Sequence, residues 1–136
     1  MMDNQVLDTI EVELAILWRR IANRKHGNLD RSAYLLLHQI DAYGAAGVKA
    51  LAEESHLDVS TVSRQAAALE HKGYVTRIPD PTDGRAYSLQ ITEQGKRELL
   101  ISKQARADRI GYLIRDWTGE EKRIFAELLT RLNRTF

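Results

Sequence analysis

The sequence has 136 residues and a mass of 15.5 kDa, with 43% hydrophobic and 29% charged residues, a globular composition that fits one compact domain with helical extensions. Its 20 Lys plus Arg against 19 Asp plus Glu leave a net charge of +1, so nothing in the bulk charge argues for nucleic acid or membrane binding. The absence of cysteine excludes disulfides, thiolate metal sites and thiol-based redox sensing. The longest apolar run, 33–37, is far short of the roughly 20 residues of a membrane span, and the start 1–5 lacks the features of a signal peptide, so a soluble, cytoplasmic protein with no membrane partner is expected.

The chain opens with a helical period: Val6, Ile10, Leu14, Leu17 and Ile21 recur every three or four residues, with Leu7 and Trp18 widening the stripe. Arg24-Lys25-His26 suit its C-terminus and Gly27 stops it. A second helix follows Asp30 as N-cap, turns Ala33, Leu36, Leu37 and Ile40 inward, and ends at Tyr43-Gly44-Ala45-Ala46-Gly47. Two short helices come next, 49–55 and 59–72, split by His56-Leu57-Asp58, with Asp58 as N-cap and Gly73 as left-handed terminator. The period then changes to two. Strands over 75–78 and 86–91, the second alternating Tyr87, Leu89 and Ile91 with Ser88 and Gln90, flank the turn-rich loop 79–85. A long helix runs from Thr92 to Trp117, and Thr118-Gly119-Glu120-Glu121 is a capping box that opens a last helix with the stripe Ile124, Phe125, Leu128, Leu129 and Leu132. The terminal helices have little of their own chain to pack on, which implies a second subunit.

The predicted class is therefore mainly α with a small β-hairpin, and 48–72 has helix-turn-helix grammar. Ala52 is small where the two helices cross, and Leu51, Leu57 and Val62 supply the apolar contacts. His56 stands where such turns often carry glycine, a position with positive φ that histidine tolerates better than most residues. With Val62, Ala66 and Leu69 inward, the outer face of the second helix carries Ser60, Thr61, Ser63, Arg64 and Gln65: hydroxyls for phosphates and base edges, an Arg that can bridge guanine O6 and N7, and a Gln that can pair with adenine. No acidic residue lies between Val59 and Leu69. These side chains are also ordinary on solvated surfaces, and the helix alone does not decide. The hairpin that follows it does, because a winged helix places a cationic tip there for the minor groove. Arg85 stands at the end of the loop, and Asp83 two residues earlier can hold it extended. Lys49 and Arg77 are read as surface charges. From Asp58 to Tyr87, Arg64, Lys72, Arg77 and Arg85 are balanced by Asp58, Glu70, Asp80 and Asp83, so any footprint depends on placement.

The run Ser60-Thr61-Val62-Ser63-Arg64, then Leu69-Glu70-His71-Lys72-Gly73-Tyr74-Val75, Asp80-Pro81-Thr82-Asp83-Gly84-Arg85-Ala86 and Leu89-Gln90-Ile91-Thr92-Glu93-Gln94-Gly95, resembles the MarR (multiple antibiotic resistance regulator) family of bacterial winged-helix transcription factors. The resemblance extends over nearly the whole chain. It implies a homodimer tied together by residues 1–29 and 93–136, with 30–92 as the winged helix-turn-helix unit. It further implies a regulator, most often a repressor, that binds double-stranded DNA at a pseudo-palindrome and is released by a small aromatic or anionic effector. It places DNA contacts on Ser60, Thr61, Ser63, Arg64 and Gln65, the wing arginine on Arg85 and its buttress on Asp83. The family wing often carries an earlier arginine as well, where this chain has Thr82.

An effector site is expected where the dimerisation helices meet the DNA-binding unit, with Trp18, Arg19, Tyr34 and His38 as candidates. No catalytic motif is present, and His26, His38, His56 and His71 have no metal-ligand spacing, so neither an enzyme nor a metal or cofactor site is expected. The rival reading is a winged helix that binds protein rather than DNA; an exposed apolar patch on 59–72 would favour it, and the Ser, Thr, Arg and Gln there argue against it.

Overall fold

The computed structural model describes residues 3–21 and 28–136, which form two compact units, residues 1–102 and 103–136. The expected helix-ending signals Arg24-Lys25-His26 and Gly27 lie outside the described residues. The elements in chain order are α1 (Asp3–Ile21), α2 (Arg31–Tyr43), α3 (Val48–Ser55), α4 (Val59–His71), β1 (Val75–Pro79), β2 (Tyr87–Ile91), α5 (Glu93–Leu113) and α6 (Gly119–Asn133). Among the described residues no helix is long and apolar enough to cross a membrane.

The caps are those the sequence predicts. Asp30 accepts the Ala33 N–H at 2.8 Å at the start of α2, and Asp58 accepts the Thr61 N–H at 3.2 Å at the start of α4. Thr118 and Glu121 close a reciprocal capping box at the start of α6. His56 adopts the left-handed conformation, φ 56° and ψ 37°, which lets the chain turn sharply between α3 and α4 without a glycine. Gly73 ends α4 at φ 82°.

The core of the first unit gathers Leu29, then Leu36, Leu37 and Ile40 of α2, Leu51 and Ala52 of α3, Val62, Ala66 and Leu69 of α4, and Tyr74, Val75, Leu89 and Leu99. Each fully buried leucine contributes about 2 kcal/mol of transfer free energy, and this cluster fixes the helix-turn-helix against the hairpin. β1 and β2 pair antiparallel with Val75 opposite Ile91 and Arg77 opposite Leu89. The free edge of β2 takes up Ala46 through two backbone bonds to Leu89, of 2.8 and 3.2 Å, so the segment before α3 is tied to the hairpin.

Two expectations need correction. The helix predicted to reach Trp117 ends at Leu113. There the Arg115 guanidinium lies 4.3 Å from the Tyr112 ring centroid and donates to the Tyr112 carbonyl at 2.9 Å, while tight three-residue bonds from the Arg115 and Trp117 amides form a turn into the α6 cap. The apolar period runs on through the turn because Trp117 packs edge-on against Phe125 of α6 with ring centroids 5.2 Å apart. Leu57, expected to pack between α3 and α4, is instead 45% exposed: its amide satisfies the Ala52 carbonyl, and its side chain points away from the core and lines a surface cavity.

None of the described residues of α1 is buried, and Val6, Leu7, Ile10, Leu14 and Leu17 are all exposed. In the second unit α6 likewise exposes Ile124, Phe125, Leu128, Leu129 and Leu132, and none of its residues is buried. Stripes of this size facing water are unusual for a finished surface.

Candidate nucleic-acid interface

Helix α4 buries Val62, Ala66 and Leu69 along one side, which turns Ser60 and Arg64, one helical turn apart, to the outside. Both are exposed, whereas Thr61, Ser63 and Gln65 are half-buried along the flanks. The first turn is hydrogen-bonded within itself. Asp58 accepts the Thr61 hydroxyl at 2.6 Å as well as its N–H, and it also accepts the Ser60 hydroxyl. These bonds, with the Ser60 hydroxyl the largest cause, hold the Asp58 carboxyl well below its ordinary range, at about 2. Arg64 Nη2 reaches the Thr61 hydroxyl oxygen at 3.4 Å.

The hairpin is braced from behind. Arg77 of β1 forms a 3.0 Å ion pair with Glu70 of α4, and its guanidinium sits 4.4 Å from the Tyr87 ring centroid. This cation therefore braces the hairpin against α4. At the loop, Asp80 accepts both the N–H and the hydroxyl of Thr82 at 2.8 Å, bonds that lower its carboxyl below the usual range. Thr82 thus serves to order the turn at the position where an additional arginine was considered. Asp83 accepts the backbone N–H of Arg85 at 3.0 Å, whereas the expected brace was to the guanidinium; the carboxylate orders the main chain, and the exposed Arg85 side chain has no carboxylate partner among the described residues. Arg64 is likewise free of any carboxylate partner among them. With Arg77 paired to Glu70, Arg64 and Arg85 are left available to an external anion.

A cavity of about 460 Å³ opens beside α4, walled by Trp18, Leu35, Leu36 and Leu57, with Arg31, Glu54 and Gln65 at its polar margins. Beside it the Ser55 hydroxyl lies between the Leu51 carbonyl at 2.7 Å and Gln39 Oε1 at 2.9 Å, and Gln39 donates to the Leu51 carbonyl at 3.2 Å, tying α2 to α3. Of the four candidate effector residues, Trp18 lines this cavity. Arg19 is exposed on α1, and Tyr34 and His38 stack on each other, ring centroids 6.3 Å apart, outside the lining. Sequence reasoning missed Arg31, Leu35 and Leu57 here. Leu35 was the available signal, a leucine off the inward stripe of its own helix. Gln65, read as a base contact, also faces this cavity.

Comparison with known proteins agrees with this architecture. The sequence model of the MarR family matches residues 29–87. YxaD of Bacillus subtilis, described as an uncharacterized HTH-type transcriptional regulator, is 44% identical over an alignment spanning 100% of this chain and 99% of that protein. Among solved structures, the PcaV transcriptional regulator of Streptomyces coelicolor in complex with its natural ligand superposes with a TM-score of 0.66 at 20% identity, over 96% of this chain and 91% of PcaV. FabT of Streptococcus pneumoniae, solved in complex with DNA, gives 0.64 at 18% identity, over 98% of this chain and 94% of FabT. At such identities the two structures speak to the fold alone.

Proposed function

Because the chain belongs to the MarR family of transcriptional regulators, which are not enzymes, we propose that it is a repressor that binds a pseudo-palindromic operator as a homodimer and releases it when a small molecule binds. The observation that carries this reading is the pairing of an α4 outer face holding Ser60 and Arg64 with a braced hairpin whose Arg85 has no carboxylate partner among the described residues. Arg64 stands within the first two turns of the recognition helix, where a side chain reaches the major-groove floor, and Arg85 suits the narrow minor groove of A/T-rich flanks. Residues 30–92 are the DNA-binding unit, with Thr61, Ser63 and Gln65 flanking the reading row and Asp83 shaping the wing.

Residues 1–29 and 93–136 form the dimerisation region in this reading, since the exposed stripes of α1 and α6 are what a second copy would cover. Two-fold symmetry then sets the recognition helices roughly 34 Å apart, so half-sites lie ~10 bp apart centre to centre. The cavity under Trp18 is the candidate effector seat. Its walls suit an aromatic ring, Arg31 offers a partner to an acidic group and Glu54 to a donor, and it touches α4 through Gln65, so occupancy can bear on the recognition helix. PcaV, of the same fold, was solved with its natural ligand. The site of action is the cytoplasm, where the DNA is.

Selection of binding sites from a randomised duplex pool, followed by footprinting, tests the proposal. An inverted repeat protected on both halves is expected. A single non-symmetric half-site, or no selected sequence, refutes it.

A further inference from the structure

The Asp58 carboxylate has only lone pairs to offer, so each hydroxyl bonded to it must donate its single proton. Thr61 Oγ spends its proton on Asp58 and receives Arg64 Nη2, which makes Thr61 a relay that orients the arginine. Ser60 Oγ spends its proton too, but it is exposed on the reading row one turn from Arg64, so what it has left to offer an outside group is its lone pairs. A phosphate oxygen is also an acceptor, so two such atoms facing each other repel.

We propose that Asp58 sets the hydrogen-bonding polarity of the reading face, making Ser60 an obligate acceptor that recognises an exocyclic amino group in the major groove, N6 of adenine or N4 of cytosine, and does not hold a phosphate. The proposal rests on the DNA-binding reading above and narrows it. Of the hydroxyls and cation in the first turns of α4, Ser60 and Arg64 read bases, while Asp58 and Thr61 position them. The carboxylate is ionised throughout the pH range in which DNA-binding proteins work, because its hydrogen bonds hold it at about 2. Across that range the acceptor state of Ser60 therefore does not depend on pH.

The test uses the full-length protein and its selected duplex, replacing adenine by purine, which lacks the N6 amino group, or cytosine by 2-pyrimidinone, which lacks N4, one position at a time. At one position in each half-site the wild type should lose about two- to tenfold in affinity, the range of one hydrogen bond, and Ser60→Ala should lose nothing further there. Whether the purine or the pyrimidinone series shows the loss identifies the base. Asp58→Asn leaves Ser60 an acceptor, because the one oxygen that takes the Thr61 N–H also takes the Ser60 hydroxyl and the amide would face Thr61 Oγ, so its base preference should match the wild type; Asp58→Gly, a tolerated N-cap residue, removes the acceptor and frees the Ser60 proton. Preference at that position should then move toward guanine or thymine, while the melting temperature stays close to that of the wild type. An equal loss for Ser60→Ala on every duplex, which marks a phosphate contact, or an unchanged base preference for Asp58→Gly, which marks a plain helix cap, overturns the proposal. A wild type that selects no sequence removes the DNA-binding reading and this proposal with it.

Discussion

Gly95 is the position where the structure allows a substitution to be costed in advance. It is buried in the first turn of α5, and a β-carbon built there would lie 2.1 Å from the Tyr74 carbonyl oxygen and 2.9 Å from Ile91 Cγ1. Contacts under 3.0 Å are not sustained, so Gly95→Ala must move the start of α5 or the Tyr74 backbone just before β1 by at least 0.9 Å, the difference between 2.1 and 3.0 Å. Backbone cannot swing aside as a flexible side chain can. The same Tyr74 carbonyl accepts the Thr92 N–H at 3.0 Å, and Thr92 Oγ donates to the Gly73 carbonyl at 2.7 Å while accepting the Gly95 N–H at 3.0 Å, so the junction is bonded on every side. Overpacking of this kind costs about 1 to 3 kcal/mol or more, and the better helix propensity of alanine returns about 1. A clash with backbone belongs at the upper end of that range, so a net loss of about 2 kcal/mol or more is expected, at roughly 4 °C in melting temperature per kcal/mol for a chain of this size. Circular dichroism melts at one fixed protein concentration would measure it, with Gly111→Ala as the internal comparison: on the same helix it meets nothing within 4 Å and should gain about 0.5 to 1 kcal/mol. A Gly95→Ala protein as stable as the wild type would show that α5 does not approach the hairpin this closely.

Arg64→Ala should lose about 1 to 3 kcal/mol on the cognate duplex and much less on a scrambled one, and Arg85→Ala should weaken binding chiefly at A/T-rich flanks while flattening the salt dependence by up to about one unit of slope. Titrations at several salt concentrations separate the two, and equal losses on both duplexes for Arg64→Ala would recast it as a phosphate contact. Asp83→Asn should be nearly silent in the same assay, because an amide carbonyl can still accept the Arg85 backbone N–H; a large loss would mean that the carboxylate acts on the guanidinium. Sedimentation at micromolar concentration should find a dimer, and a stable monomer would leave the stripes of α1 and α6 unexplained. The Asp58 carboxyl, lowered by its hydrogen bonds, favours the fold above its unfolded value of 3.8 and loses that contribution as the pH falls toward about 2, so the α4 cap should be unchanged between pH 8 and pH 5. A carboxyl resonance for Asp58 titrating at the ordinary value would contradict this.

Most of the fold was legible because it is written locally. The bounds of α2, α3 and α4 and the two strands follow from apolar period and from caps that bond within three residues, and the structure reproduces them to within a residue or so. The left-handed His56 was legible for the same reason, as a turn with one steric requirement. The end of α5 was not, because the period that carries Ile114 and Trp117 onward belongs to packing inside the second unit, where Trp117 meets Phe125, and not to a continuing helix. Leu57 failed in a similar way. A leucine in a helix-turn-helix turn reads as core, and only the direction of its side chain shows that it walls a cavity instead.

The candidate site was legible as a set of residue types but not as a set of roles, since a role depends on what each polar atom already bonds. Sequence places Ser60, Thr61 and Arg64 on one helix end and Asp58 at its cap, yet it cannot say that one carboxylate takes both hydroxyl protons and so leaves an acceptor on the reading row. It gives Arg77 and Arg85 the same charge, and only the 3.0 Å pair with Glu70 shows that the first is spent on bracing the hairpin. Asp83 and Thr82 turn out to shape the wing through the main chain and a carboxylate, so the hairpin carries Arg85 on an ordered turn with no carboxylate partner among the described residues. A single fixed cation contributes little to non-specific attraction but can be aimed. With four basic and four acidic residues between Asp58 and Tyr87, discrimination in this protein has to come from where a few groups point rather than from how much charge they carry.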